Sequence, residues 1–359
     1  MVLSFGESHG RCVGAVVDGC PAGLSLREED IQRELDLRRP SSAIISTERR
    51  EEDVVEILSG VFEGYTTGAP ICMLAWNKDV RSEDYAEIRY MPRPGHADYY
   101  AHVKYGGFND YRGGGRFSGR ITAGFVMAGA VAKKLLREAL GIKIIGYSLE
   151  IGGVRAEDFT LDDAERNRYG NDVRAPTPEA AERMRERIME ARERGDSVGG
   201  VVECIAVNVP IGLGEPVFDA LDADLAKAMM AIPGARGVEF GAGFAAARMT
   251  GSQHNDPLII RDGRIISEKN DAGGVIGGIS TGMPIVIRVA FKPPSSIALE
   301  QKTVDLRDLK EARLRIRGRH DPCIVPRAVV VVEAMMAIVL ADHAMRAGLI
   351  PHVLTRQRN

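Results

Sequence analysis

Short apolar runs separated by glycine-containing turns open the chain, and Val2 to Phe5 and Arg11 to Val17 have the length and composition of strands. Ser25-Leu26-Arg27-Glu28 predicts a capping box that starts a helix with Ile31 and Leu35 on one face. That helix is expected to stop at Pro40, because a proline ring disfavours a helical residue before it. Val54 to Leu58 and Ile71 to Trp76 predict strands, and Ala123 to Leu140 a helix of small residues closed by Gly141. Thr177-Pro178 begins a helix to about Arg194 whose interleaved acidic and basic residues predict a solvent-facing element. Gly200 to Val209 reads as a strand, Leu221 to Ile232 as a helix ended by Pro233-Gly234, and Pro284 to Phe291 as an alternating strand. Leu258 to Ile260 and Ile265 to Ser267 flank Arg261-Asp262-Gly263-Arg264, a hairpin signal, and Pro326 opens a last helix to about Arg346.

Between Tyr90 and Thr122 the pattern lapses into a segment dense in Gly, Arg, His, Tyr and Asp. A long unpatterned stretch inside a compact chain points to function. Strands and helices mix without strict βαβ alternation, and neither a linker nor a short repeat is visible. The expectation is one α+β domain spanning residues 1–359, built as a β-α sandwich of layered sheets and helices.

Composition changes this picture only at its edges. With 45% hydrophobic and 27% charged residues the chain reads as a soluble globular protein, and a net charge of -3 argues against general nucleic-acid binding. Five scattered cysteines (Cys12, Cys20, Cys72, Cys204, Cys323) show neither a CxxC pair nor metal-ligand spacing, so they read as reduced core thiols of a cytoplasmic protein. No basic and apolar leader precedes the first turn. The most apolar run, Ala328 to Leu340, is broken by Glu333 and followed by Asp342 and His343, which predicts a buried helix too short to span a bilayer.

Two of the seven histidines stand out by context: His9 in Gly6-Glu7-Ser8-His9-Gly10, and His96 in Arg93-Pro94-Gly95-His96-Ala97-Asp98. Flanking glycines allow turns that aim a side chain into a cleft, and an imidazole changes charge near neutral pH, as acid-base work requires. Taken singly, each reads more readily as a surface-turn or hydrogen-bonded structural histidine; the two together, both near arginines or carboxylates, balance the readings. Gly113-Gly114-Gly115-Arg116-Phe117-Ser118-Gly119-Arg120 leads into a helix, where free amides and two arginines favour an anion, with Arg93 adding charge. It fits neither a Rossmann nor a P-loop pattern. The Gly-rich run at 273–278 allows close approach of backbone to a ligand or of strands to each other. Lys292-Pro293-Pro294-Ser295-Ser296 offers a cation and two hydroxyls, or an ordinary strand-end loop. In Arg317-Gly318-Arg319-His320-Asp321-Pro322-Cys323, Asp321 is a candidate base or the ion-pair partner of Arg319. No Ser/His/Asp spacing, HExxH or metal-ligand set is present.

These residues support an enzyme acting on a small polyanion, either a phosphate-eliminating lyase or a phosphoryl transferase, although the latter normally carries a nucleotide loop or a carboxylate metal site. A non-catalytic RNA-binding protein stacking bases on Tyr99, Tyr100, Tyr105 and Tyr111 is a third class, against which the acidic balance weighs.

The glycine-framed histidine segments, the Gly113 to Arg116 loop and Arg319-His320-Asp321-Pro322-Cys323 together resemble the hallmark segments of the chorismate synthase family. So do Ile57-Leu58-Ser59-Gly60-Val61-Phe62-Glu63-Gly64 and the final helix with Glu333-Ala334-Met335, and the match follows family order over nearly the whole chain. The resemblance implies a 1,4-anti elimination of phosphate from 5-enolpyruvylshikimate-3-phosphate to give chorismate, with reduced FMN (FMNH2) required although no net oxidation occurs. It also implies a sandwich fold and a homotetramer. By motif position it makes His9 the group that protonates the departing phosphate, with Ser8 as a relay, His96 the partner of the reduced flavin, and Asp321 the acceptor of the ring proton. Arg38, Arg93, Arg120 and Arg319 match substrate-binding arginines. Arg116, Phe117, Ser118, Gly277, Lys292, Pro293, Pro294, Ser295, Ser296 and Arg319 fall where the family holds FMN.

The sequence departs from the family pattern in several places. It begins about ten residues later than typical members, and Phe117 stands where many have a serine. Ile44 replaces a common arginine, for which Arg49 is the expected substitute at the substrate, and Pro233-Gly234 stands where an Asn-Ala pair often meets FMN. Whether the chain reduces its flavin itself with NADPH or relies on an external flavin reductase stays open, since no nicotinamide motif is visible.

Overall fold

The computed structural model describes residues 1–39, 52–78, 85, 87–316 and 320–354. Two antiparallel sheets enclose a layer of helices. The first sheet has the strand order Val2–Gly6, Cys12–Val17, Ile71–Trp76, Val55–Ser59; the second runs Ala235–Phe240, Ile285–Phe291, Gly200–Val207, Lys143–Ile151, Val154–Arg155. Between them Thr122–Leu140 lies against Cys12–Val17, and Val325–Arg346 lies against the central strands of the second sheet. The two helices also pack on each other. This is the expected α+β sandwich.

Small residues set the layer spacing. A Cβ on Gly129 would stand 2.2 Å from the Ala334 Cβ, and one on Gly124 2.4 Å from the Gly14 carbonyl oxygen. Thr122–Leu140 could not sit so close to Val325–Arg346 or to Cys12–Val17 with a side chain at these positions. Val325–Arg346 has Pro326 in its first turn, as predicted, but its 22 residues correct the expectation that it is too short for a membrane: by length and composition it would suffice. Its most apolar 18-residue window is 78% buried inside the protein, which explains apolar residues on all sides of it.

Other expectations are also corrected. The first helix is Glu28–Arg38, two residues later than the box at Ser25 implies. Leu26 N–H is taken by the Gly64 carbonyl and Ser25 bridges to Tyr65, so the box forms instead where Asp30 accepts from the Arg27 amide at 3.1 Å. The helix does end before Pro40, with Arg39 extended at ψ 154°. Pro178–Glu193 is not wholly solvent-facing, because Ala180, Ala181, Met184, Ile188 and Ala191 form a buried stripe. The unpatterned segment holds a helix, Asp98–Lys104, and short 3-10 turns over Arg112–Phe117 and Gly119–Ile121.

Candidate functional site

Gly113, Gly114 and Gly115 run in succession at φ 58°, 82° and 52°, a backbone that residues with a Cβ rarely adopt. A Cβ on Gly113 would stand 2.4 Å from His9 Cδ2 and 2.7 Å from Ser8 Oγ, and one on Gly114 would stand 3.1 Å from His96 Cε1. The loop is thus the seam between the two glycine-framed histidines. His9 is buried beneath it, edge-on to Tyr85 at 5.1 Å between ring centroids. Ser8 stands on the side of a cavity of about 580 Å³, a size suited to a small-molecule site.

His96 lines that cavity. Its Nδ1 lies 2.6 Å from Asp98 Oδ1, which sets the ring orientation. Asp98 also accepts from Arg93 through Nε at 2.7 Å and Nη2 at 2.8 Å, and Arg93 Nη1 donates to Ser296 Oγ at 3.1 Å. Burial would raise the Asp98 carboxyl, but the hydrogen bonds from Arg93 and His96 outweigh it and hold the group well below the usual carboxylate range. The triplet is therefore ionised at Asp98 throughout the physiological range.

The cavity also holds a cluster of arginines. Arg38, at the end of the first helix, and Arg120, just before Thr122–Leu140, share the buried carboxylate of Asp53: Oδ2 accepts from Arg38 Nη1 at 3.2 Å and Oδ1 from Arg120 Nη1. Burial pushes Asp53 up, yet Arg38, Arg120 and Arg327 hold it below its ordinary range. Arg39, Arg327 and Arg236 line the same cavity. Arg327 Nη1 donates to Asp321 Oδ2 at 2.7 Å, so Arg327, from the C-terminal helix, is an ion-pair partner of Asp321. Arg319 and Arg49 lie outside the described residues.

Beside the His96 segment, Lys292 Nζ donates to Ser295 Oγ at 2.6 Å, and Ser295 donates on to the Gly95 carbonyl at 2.8 Å. Burial first, then Arg236 and Arg93, pull the Lys292 ammonium below its ordinary range. Pro293, Pro294, Phe117, Ile232, Ile324 and Val331 give apolar wall beside these charges. Ser118 and Arg116 line the cavity, but the Arg116 guanidinium donates to the Gly6 carbonyl at 2.9 Å and the Ser4 carbonyl at 3.3 Å, fastening the glycine loop to the first strand. Gly277 is at the tip of the Val275–Ile276/Ile279–Ser280 hairpin and is not part of the cavity wall of this chain.

Sequence reasoning missed Asp53, Arg39, Arg236, Arg327 and Tyr85. Arg327 had a legible signal, since a cation directly after the helix-opening Pro326 must lie in the first turn, near the Asp321 segment. Asp53 had none, following Glu51 and Glu52 in a run of carboxylates.

A family model described as chorismate synthase matches residues 1–345. The chain is 62% identical over 346 residues to the chorismate synthase of Korarchaeum cryptofilum, covering 96% of each chain. It is 56% identical over 353 residues to that of Dehalococcoides mccartyi, covering 98% of this chain and 97% of the relative. A crystal structure of chorismate synthase resembles it with a TM-score of 0.75 and 35% identity, over 97% of this chain and 92% of that one.

Proposed function

Because the chain belongs to the chorismate synthase family, we propose that it eliminates phosphate from 5-enolpyruvylshikimate-3-phosphate in the 1,4-anti sense to give chorismate, working with bound reduced FMN. The observation that carries this reading is the convergence in one cavity of Arg38, Arg120 and Arg327, of the His96–Asp98–Arg93 triplet, and of Lys292 beside apolar wall. That mix of donors fits a substrate with carboxylates and a phosphate next to a flat ring system with its own phosphate. The flavin supplies electron density that helps the allylic phosphate leave, with no net redox change.

The chain's own residues do the rest. Arg38 and Arg120 hold the anionic substrate on the glycine-loop side of the cavity, where fixed guanidinium forks suit phosphate and carboxylate oxygens. His9, with Ser8 on the cavity side of it, delivers a proton to the departing phosphate. As the C–O bond breaks and its electron pair leaves with phosphate, the ring's existing double bond shifts onto the carbon that held it, the C–H electron pair forms the second double bond, and Asp321 accepts the released ring proton. His96, oriented by Asp98, would donate to the reduced flavin, and Lys292, Ser295 and Ser296 would hold the same ligand. Phe117, half-exposed on the cavity wall, contributes a face rather than a hydroxyl.

We further read the chain as a homotetramer. Phe218, Val217, Ile260 and Phe244 are 96%, 80%, 80% and 77% exposed, apolar side chains that such an assembly would cover. An anaerobic assay with the substrate and chemically reduced FMN tests the function, chorismate being followed chromatographically. Absence of product with both present refutes it. A second arm, FMN and NADPH under air, decides between intrinsic flavin reduction and an external reductase.

A further inference from the structure

We propose that Asp53 is a positioning residue of the anion site: its single buried carboxylate orients the guanidinium groups of Arg38 and Arg120 side by side toward the cavity. This rests on the reading above, in which those arginines receive an anionic substrate.

The three side chains come from separate places in the chain, and their side chains are only 2%, 3% and 5% exposed for Asp53, Arg38 and Arg120. Each carboxylate oxygen is assigned to one arginine. The other described bonds of the pair run to neutral oxygens: Arg38 Nε to Thr122 Oγ1 at 3.0 Å, Arg38 Nη2 to the Gly119 carbonyl at 3.0 Å, and Arg120 Nε to Asn77 Oδ1 at 2.9 Å. The Asp53 carboxylate thus stands between two like charges and offsets their mutual repulsion. Asp53 itself is held at φ 47°, a backbone that asparagine and aspartate tolerate better than other side chains. All three residues line the cavity, so a geometry fixed by Asp53 is presented to the ligand rather than hidden from it.

Two opposed effects follow from removing its charge. If net charge alone governs binding, Asp53→Asn, with one negative charge fewer, binds anions more tightly. If orientation governs, the variant binds them more weakly, because an amide offers one oxygen acceptor and turns an N–H donor toward the second guanidinium. The positioning role requires the second result.

The test is titration calorimetry of the full-length protein with inorganic phosphate and with 5-enolpyruvylshikimate-3-phosphate, alongside circular dichroism to establish folding. Asp53→Asn is expected to weaken both ligands at least tenfold, about 1.4 kcal/mol, and to raise KM more than it lowers kcat. Thr122→Val removes one Arg38 anchor without altering charge, and should weaken binding in the same direction by a smaller factor. Unchanged or tighter binding by folded Asp53→Asn overturns the proposal. If that variant fails to fold, unchanged binding by Thr122→Val overturns it instead. A wild-type protein that binds phosphate but not the shikimate-derived substrate would refute the functional reading, leaving the positioning of the arginines to be judged on phosphate alone.

Discussion

Glu333 is 1% exposed in the middle of the C-terminal helix, yet it is fully engaged. Its carboxylate accepts from the Gly146 amide at 2.7 Å, Lys133 Nζ at 2.6 Å, Tyr169 Oη at 3.0 Å and Arg168 Nη1. Burial alone would raise this acid, but Arg168, Lys133 and the Gly146 amide bring it down to about 2 from an ordinary 4.5. That gap corresponds to roughly 3 kcal/mol of folding free energy. Because the folded-state value is depressed, the contribution is complete above about pH 4.5 and is lost as the pH falls toward 2. Glu333→Gln keeps the shape but takes the carboxylate from Arg168 and leaves Lys133 to its second partner, Glu34, at 2.6 Å; breaking one partner of a buried pair costs about 3–5 kcal/mol. The expected fall in Tm at neutral pH is roughly 5–15 °C, given about 2–4 °C per kcal/mol for domains somewhat smaller than this one. Thermal or urea melts of wild type and variant, taken from neutral to acid pH, read both the gap and its closing on acidification. A Glu333→Gln protein melting with the wild type at neutral pH would refute the reasoning, as would a gap that persists unchanged to the lowest pH.

Three further outcomes are expected at the site. His9→Ala should lower kcat by about 10²–10⁴-fold while FMN affinity, measured by fluorescence quenching, stays near wild type; normal turnover would remove His9 from proton delivery. His96→Ala should alter the absorption spectrum of the bound reduced flavin, and an unchanged spectrum would place that imidazole away from the ring. Asp321→Asn should slow the chemical step in single-turnover measurements with little change in substrate Kd. Full activity in that variant would eliminate it as the base.

The sequence disclosed elements whose burial is one-sided or whose ends are marked. The strand Ile285–Phe291 alternates buried and half-buried residues along its whole length, and Thr122–Leu140 is closed by Gly141 at φ 68°. Lys143–Ile151 escaped the reading because it is covered on both faces. Ile145, Tyr147 and Leu149 enter a small cluster on one side, and Gly146 admits Glu333 on the other, so no polar alternation exists to be seen. The hairpin Gln301–Asp305/Lys310–Leu314 escaped for the opposite reason, being polar on both strands. At the site, residues framed by glycine or proline were legible because the backbone requirement shows in the residue type. Asp53 and Arg236 were not, since a carboxylate or guanidinium acquires its role only from what the fold brings beside it.

The scaffold explains why charge gathers where it does. Both long central helices begin at the cavity: Arg120, Ile121 and Thr122 line it at the start of one, and Ile324, Arg327 and Ala328 at the start of the other. Helix starts present unsatisfied amides and a partial positive charge, so backbone and arginines act in the same sense on an anionic ligand. Their separation is set some way inside the layer, where Gly129 meets Ala334, one residue from Glu333. Four residues after Gly129, Lys133 donates to the Glu333 carboxylate, tying the helices together on the turn next to that crossing. A change that opened the crossing would move the two helix starts apart, and with them Arg120 and Arg327. Packing in the interior and electrostatics at the cavity are therefore one property of this fold, expressed at two ends of the same pair of helices.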